Sequence, residues 1–172
     1  MTHSAALPVA WVVLRILSVA NWLFGAGILA LLIASLAAEQ WTFTALGIAP
    51  SSRTPAMVMG MRAIMLLGLI GILLNNRVLK RLLAMVDTVR RGDPFVAANA
   101  DRLSAIAWTL LGLQLLSIVI DGIGQALSTP ETPIHLDAGF SASGWLAVIL
   151  TFVLARVFEV GASMREDLEG TV

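Results

Sequence analysis

Four long apolar stretches separated by polar connections dominate the pattern of this chain. They cover about residues 16–37, 56–74, 103–126 and 144–158, and a helix needs roughly 20 apolar residues to cross the hydrocarbon core of a bilayer. Because every backbone amide in hydrocarbon must be hydrogen-bonded within the protein, we predict that all four are α-helices. The predicted fold class is therefore all-α, an integral membrane bundle of four transmembrane helices in a single domain over residues 1–172.

A further helical pattern follows the second apolar stretch, between residues 77 and 91. Its apolar side chains recur at the spacing of one helical face, and basic residues fill much of the remainder. Gly92 would end this helix as a C-cap, Pro94 would block its continuation, and Asn99 or Asp101 would cap the next helix. We therefore predict a helical extension between helices 2 and 3. Its apolar face consists of Val78, Leu82, Met85, Val86 and Val89.

The placement of Lys and Arg predicts the orientation of the chain. Most of these residues flank the start of the first span, the connection between the second and third, and the end of the fourth. The positive-inside rule therefore predicts cytoplasmic termini and a cytoplasmic central connection. The basic central helix has three possible roles. It could only set this topology, it could contact anionic lipid headgroups, or it could dock a cytoplasmic partner.

Composition excludes several classes of function. The chain is 58% hydrophobic and 13% charged, where a soluble domain carries about 25% charged residues. Its 11 basic and 11 acidic residues balance and give no reason to expect direct binding of nucleic acid. The absence of cysteine excludes disulfides and thiolate metal sites. Since no catalytic motif or ligand cluster is present either, we expect no enzyme activity, no cofactor and no metal.

Arg62 is the most conspicuous polar residue because it lies inside the second span, about 10 Å from its outer end. A charge at such a depth costs at least about 2.5 kcal/mol unless it is compensated. Asp121 lies at a comparable depth in the third span and shares a helical stripe with Gln114 and Ser117. These four residues could form a ligand or ion site. The structural alternative, which we favour, is an Arg62–Asp121 pair that fixes helix packing while Arg62 partly snorkels.

A stripe of small residues runs along the first span at Ala26, Ala30 and Ala34. Small residues allow membrane helices to approach closely. We expect this stripe to pack within the bundle, and a homo-oligomer interface is the alternative.

Two stretches near the inner side resemble a known family. The first is Gly92-Asp93-Pro94-Phe95 with the following segment from Asn99 to Trp108, and the second is the ending from Phe158 to Val172. Together they resemble domain-of-unknown-function family twenty-nine seventy-five, bacterial membrane proteins with four spans. The family shows a "PF…N-A-x-R-L…I-x-W" segment and a tail with "R-E" followed by "L-T". Here Glu169 and Gly170 precede Thr171, which departs from the commoner tail.

The resemblance implies a bacterial inner membrane protein without known enzyme activity. It also implies that the genes of family members lie beside genes for small helix-turn-helix regulators. The leading hypothesis is a signalling or regulatory protein that acts through its cytoplasmic connection and tail, with such a regulator as partner. The alternative is a small transporter or ligand-binding protein that uses Arg62 and Asp121. The predicted partner surface comprises Arg77, Lys80, Arg81, Arg90, Arg91, Arg102, Arg165 and Glu166.

Overall fold

The computed structural model describes residues 6–38, 54–128 and 138–169. It contains the helices α1 (Ala6–Ala37), α2 (Thr54–Arg90), α3 (Ala97–Leu127) and α4 (Ala142–Glu169), with no strand in the described ranges. The all-α prediction is therefore confirmed, and each of the four predicted spans lies inside one helix.

All four helices are long and apolar enough to cross a membrane. Large apolar side chains cover their outward surfaces, for example Leu23 with 69% and Met59 with 76% of its surface exposed. A water-soluble protein rarely exposes apolar patches of this extent, whereas in a bilayer they contact acyl chains. The distribution of side chains is therefore that of a multi-pass membrane protein.

Helix α2 confirms the predicted helical extension. It has 37 residues, or about 55 Å at 1.5 Å per residue, while the hydrocarbon core is about 30 Å thick. Its last turns therefore project beyond the core. Within them Val78 and Leu79 are buried, whereas Arg77, Lys80 and Arg90 are exposed.

The helices pack as a row of antiparallel neighbours. Contacts join α1 to α2, α2 to α3 and α3 to α4, and the described residues of α1 and α4 do not pack against each other. The bundle is therefore open, and the start of α1, the α2–α3 turn and the end of α4 lie at one end. We call this the basic end, because it carries Arg15, Arg77, Lys80, Arg81, Arg90, Arg91, Arg102, Arg156 and Arg165. Its cytoplasmic location remains the prediction of the positive-inside rule.

An asparagine pair joins α1 to α2 inside the membrane region. The Asn21 side chain donates to the carbonyl of Ile72 at 3.1 Å and accepts from the Asn75 side chain at 2.9 Å. Such bonds between membrane helices average about 0.6 kcal/mol each. They fix the register of α1 against α2.

The small-residue stripe of α1 does not pack as expected. The residues of α1 that are buried include Asn21, Leu32 and Ser35, whereas Ala26 and Ala30 are exposed and Ala34 is half-buried. The expectation of packing within the bundle was wrong for Ala26 and Ala30, because the asparagine pair turns a different face of α1 toward α2.

Candidate functional site

The α2–α3 turn at the basic end is built on Gly92. This residue has φ of +84°, a left-handed conformation that costs other residues about 1–2 kcal/mol. The Gly92 amide donates to the carbonyl of Val89 at 3.0 Å, and the Asp93 amide donates to that of Thr88 at 3.2 Å. This is a Schellman motif, and it confirms the prediction that Gly92 caps the helix.

Asn99 holds the turn closed from inside. It is fully buried, and its side-chain amide donates to Thr88 Oγ1 at 2.7 Å and to the Pro94 carbonyl at 2.9 Å. Its Oδ1 atom accepts a hydrogen bond from Arg102 at 2.7 Å. One side chain therefore connects the end of α2, the turn and the first turn of α3.

The prediction that Asn99 or Asp101 caps α3 was wrong. The helix begins at Ala97, and its N-cap residue, Val96, makes no side-chain capping bond. Asn99 therefore lies within the first turn, where tertiary hydrogen bonds occupy its side chain. Asp101 lies further into the helix, and its side chain is exposed.

The end of α4 packs against this turn. The rings of Phe95 and Phe158 lie 5.2 Å apart between centroids. Phe95 also contacts Gly161, where an added Cβ atom would lie 2.9 Å from the ring. Beyond these contacts, Arg165 forms an ion pair with Asp93. The turn and the α4 end thus form one joined surface, which we call the turn–tail contact: Asp93, Phe95, Phe158, Gly161 and Arg165.

The predicted partner surface divides into exposed and inward-facing cations. Arg77, Lys80, Arg90 and Arg91 are exposed. Arg81, by contrast, donates to Thr109 Oγ1 at 3.2 Å and to the Ala105 carbonyl at 3.4 Å on α3.

Arg102 and Arg165 are likewise engaged within the protein, the first with Asn99 and the second with Asp93. The side chain of Glu166 and the residues after Glu169 lie outside the described part of the chain. The surface open to a partner is therefore smaller than the sequence suggested.

A groove of about 530 Å³ lies beside this surface, between α3 and α4. Asp101 and Ser104 border it from α3, and Arg156 and Glu159 border it from α4. Arg156 is already paired with Glu159 at 2.8 Å, as two exposed side chains. The groove therefore has a mixed wall, in which alanines and Phe152 alternate with two carboxylates and one cation.

Arg62 is not paired with Asp121. Its guanidinium donates to Ser35 Oγ at 3.0 Å and also to the Ser35 carbonyl on α1. Asp121 instead accepts a hydrogen bond from Gln125 at 2.7 Å on its own helix. The Arg62–Asp121 pairing hypothesis was wrong, because a nearer acceptor on α1 satisfies the guanidinium.

The polar stripe of α3 faces the start of α4. The amide of Gly139 donates to Ser117 Oγ at 3.1 Å, and the side chains of Gln114 and Asp121 lie against Gly144 and Gly139. Arg62 thus belongs to the α1–α2 contact, whereas Gln114, Ser117 and Asp121 belong to the α3–α4 contact. The four predicted residues do not form one site.

Sequence reasoning missed Thr88 and the Asn21–Asn75 pair. Thr88 is a buried hydroxyl that accepts from Asn99 and donates to the Met85 carbonyl at 2.7 Å. An asparagine inside an apolar span was the available signal for Asn21, but its partner depends on helix register.

These features define a class: a small integral membrane protein of four antiparallel helices, with a compact turn–tail contact at its basic end. Comparison with known protein families then identifies the family. Residues 32–172 match the family described as "Protein of unknown function (DUF2975)", and the chain belongs to this family. The resemblance noted from the two inner stretches is therefore confirmed. No curated protein and no solved structure matches the chain.

Proposed function

We propose that this protein is a non-enzymatic regulatory membrane protein that binds a cytoplasmic partner at its basic end. The turn–tail contact is the observation that carries the proposal. Two stretches far apart in the sequence meet there through Phe95, Phe158 and the Arg165–Asp93 ion pair. A partner that binds one stretch would also change the position of the other.

The exposed cations along α2 favour an acidic partner surface. Arg77, Lys80 and Arg90 form no ion pair among the described residues, and Arg91 bonds only to the carbonyl of Asp87. Exposed cations accelerate association with an acidic surface and make it sensitive to salt. The family resemblance adds a small helix-turn-helix regulator as the candidate partner.

The alternative function, transport or ligand binding near Arg62, has less support. A pathway needs polar groups that converge on one cavity. Arg62 instead bonds to Ser35 on α1, and Asp121 lies against Gly139 before α4. Both residues have the hydrogen bonds that a structural role requires. We therefore assign Arg62 to the packing of α1 and α2.

Isolation of the tagged protein from native membranes tests the proposal. The first comparison is between the intact chain and a variant that lacks residues 161–172. A more selective pair is Arg90→Ala with Arg91→Ala, against the control Arg156→Ala, which removes a cation at the same end but beside the α3–α4 groove. Size-exclusion chromatography in detergent checks that each variant folds.

The proposal predicts one cytoplasmic protein that copurifies with the intact chain and with Arg156→Ala. The truncated variant and the Arg90/Arg91 variant should lose it. Recovery of no such protein, or its equal recovery with all variants, would contradict a docking role for the basic end.

A further inference from the structure

A second groove lies at the basic end, on the opposite side of the row from the turn–tail contact. It has a volume of about 420 Å³ between α1 and α2. Two cations and one amide border it, Arg15 from α1 and Asn76 and Lys80 from α2. The rest of its wall consists of Ser18, Val19, Trp22 and Leu23 from α1 and Leu83 from α2.

Asn76 differs from the other described asparagines inside the helices. It is 8% exposed, and its side-chain amide makes no hydrogen bond to any residue in the described ranges. Asn21, Asn75 and Asn99 all have such partners. The Asn76 amide lines the groove and is therefore available to a polar ligand there.

The cations of the groove are also free of acidic partners. Neither Arg15 nor Lys80 forms an ion pair within the described parts of the chain. The guanidinium of Arg15 lies 5.1 Å from the ring centroid of Trp11, a cation–π contact that leaves its N–H groups available. An anion with several acceptor oxygens, such as a phosphate, suits two cations and an amide.

The groove changes from polar to apolar along the helix axes. Arg15 and Lys80 lie toward the basic end, whereas Trp22 and Leu23 lie further into the apolar span of α1 and are largely exposed. A soluble phosphate would leave this apolar part uncovered. A phospholipid has its phosphate and its acyl chains in the same order.

We propose that this groove binds an anionic phospholipid of the inner leaflet. The phosphate accepts hydrogen bonds from Arg15, Lys80 and Asn76, and an acyl chain lies along Val19, Trp22 and Leu23. Basic pockets between membrane helices bind such headgroups in other proteins. The groove shares Lys80 with the partner surface, whereas its other residues lie at the α1–α2 contact, away from the turn–tail contact.

Native mass spectrometry of the purified full chain in detergent tests the proposal. The probes are dioleoylphosphatidylglycerol, the neutral lipid dioleoylphosphatidylcholine and inorganic phosphate. The variant Arg15→Gln with Lys80→Gln removes the cations of the groove. The control, Arg90→Gln with Arg91→Gln, removes the same charge at the end of α2. Asn76→Leu removes the amide without a change of charge.

The intact chain should retain one phosphatidylglycerol molecule in preference to phosphatidylcholine. Each lost groove cation should weaken binding about fivefold, Asn76→Leu should also weaken it, and the control should bind as the intact chain does. Equal losses in the groove variant and its control would show diffuse attraction and overturn the site. Inorganic phosphate that binds as tightly as the lipid would overturn the role of the acyl chain. Circular dichroism and size-exclusion chromatography confirm that the variants fold.

Discussion

The substitution Asn99→Ala tests whether a single side chain holds the α2–α3 turn closed. It removes two hydrogen bonds from the Asn99 amide, to Thr88 and Pro94, and one from Arg102 to its Oδ1 atom. A neutral hydrogen bond contributes about 1 kcal/mol and one to a charged group about 1.5–3 kcal/mol. Because the site is fully buried, water does not replace these bonds. We expect the free energy of unfolding to fall by about 3–5 kcal/mol.

Titration of the detergent-solubilised protein with sodium dodecyl sulfate, followed by tryptophan fluorescence, measures this free energy. Asp101→Asn is the matched control: its side chain is exposed two residues further along the same helix. A surface change of this kind stays within about 0.5 kcal/mol. Hydrogen exchange of the amides between α2 and α3 should accelerate in Asn99→Ala but not in the control.

A double-mutant cycle separates the Thr88 bond from the others. Thr88→Val keeps the shape of the side chain and removes the acceptor of the Asn99 amide. We expect Asn99→Ala and Thr88→Val to be non-additive by about 1 kcal/mol, the value of the shared bond. A cost for Asn99→Ala below about 1 kcal/mol, or additive effects of the two changes, would refute this account of the turn.

Three further outcomes follow from the fold. Gly92→Ala should cost about 1 kcal/mol because its φ is positive while the space around it is open, and Gly92→Asn should cost less in the same titration. Arg62→Leu should loosen α1 from α2 through the lost bonds to Ser35, seen as faster hydrogen exchange in α1; unchanged exchange would contradict a packing role. The chain has no cysteine, so a single introduced cysteine reports the side of the membrane on which it lies. Arg90→Cys should react with an impermeant maleimide only in opened cells, and Phe140→Cys should react in intact cells. The reverse pattern would show that the basic end lies outside.

The sequence determined the membrane class, the four helices and the continuation of α2 past the bilayer. These features follow from local properties, namely the length of an apolar run, the period of one helical face and the left-handed conformation that glycine permits. Gly92 could be assigned as a helix cap for that reason, since the cap depends on neighbouring residues of the same segment.

Only the tertiary structure decided which polar groups meet. Arg62 and Asp121 looked complementary because they lie at comparable depth, but depth does not fix the rotation of one helix against another. The Asn21–Asn75 bond and the packing of α4 on α3 set these rotations, so Arg62 reaches Ser35 and Asp121 faces Gly139. Asn99 likewise fitted a local capping pattern, whereas its buried bonds join segments whose approach depends on the whole fold.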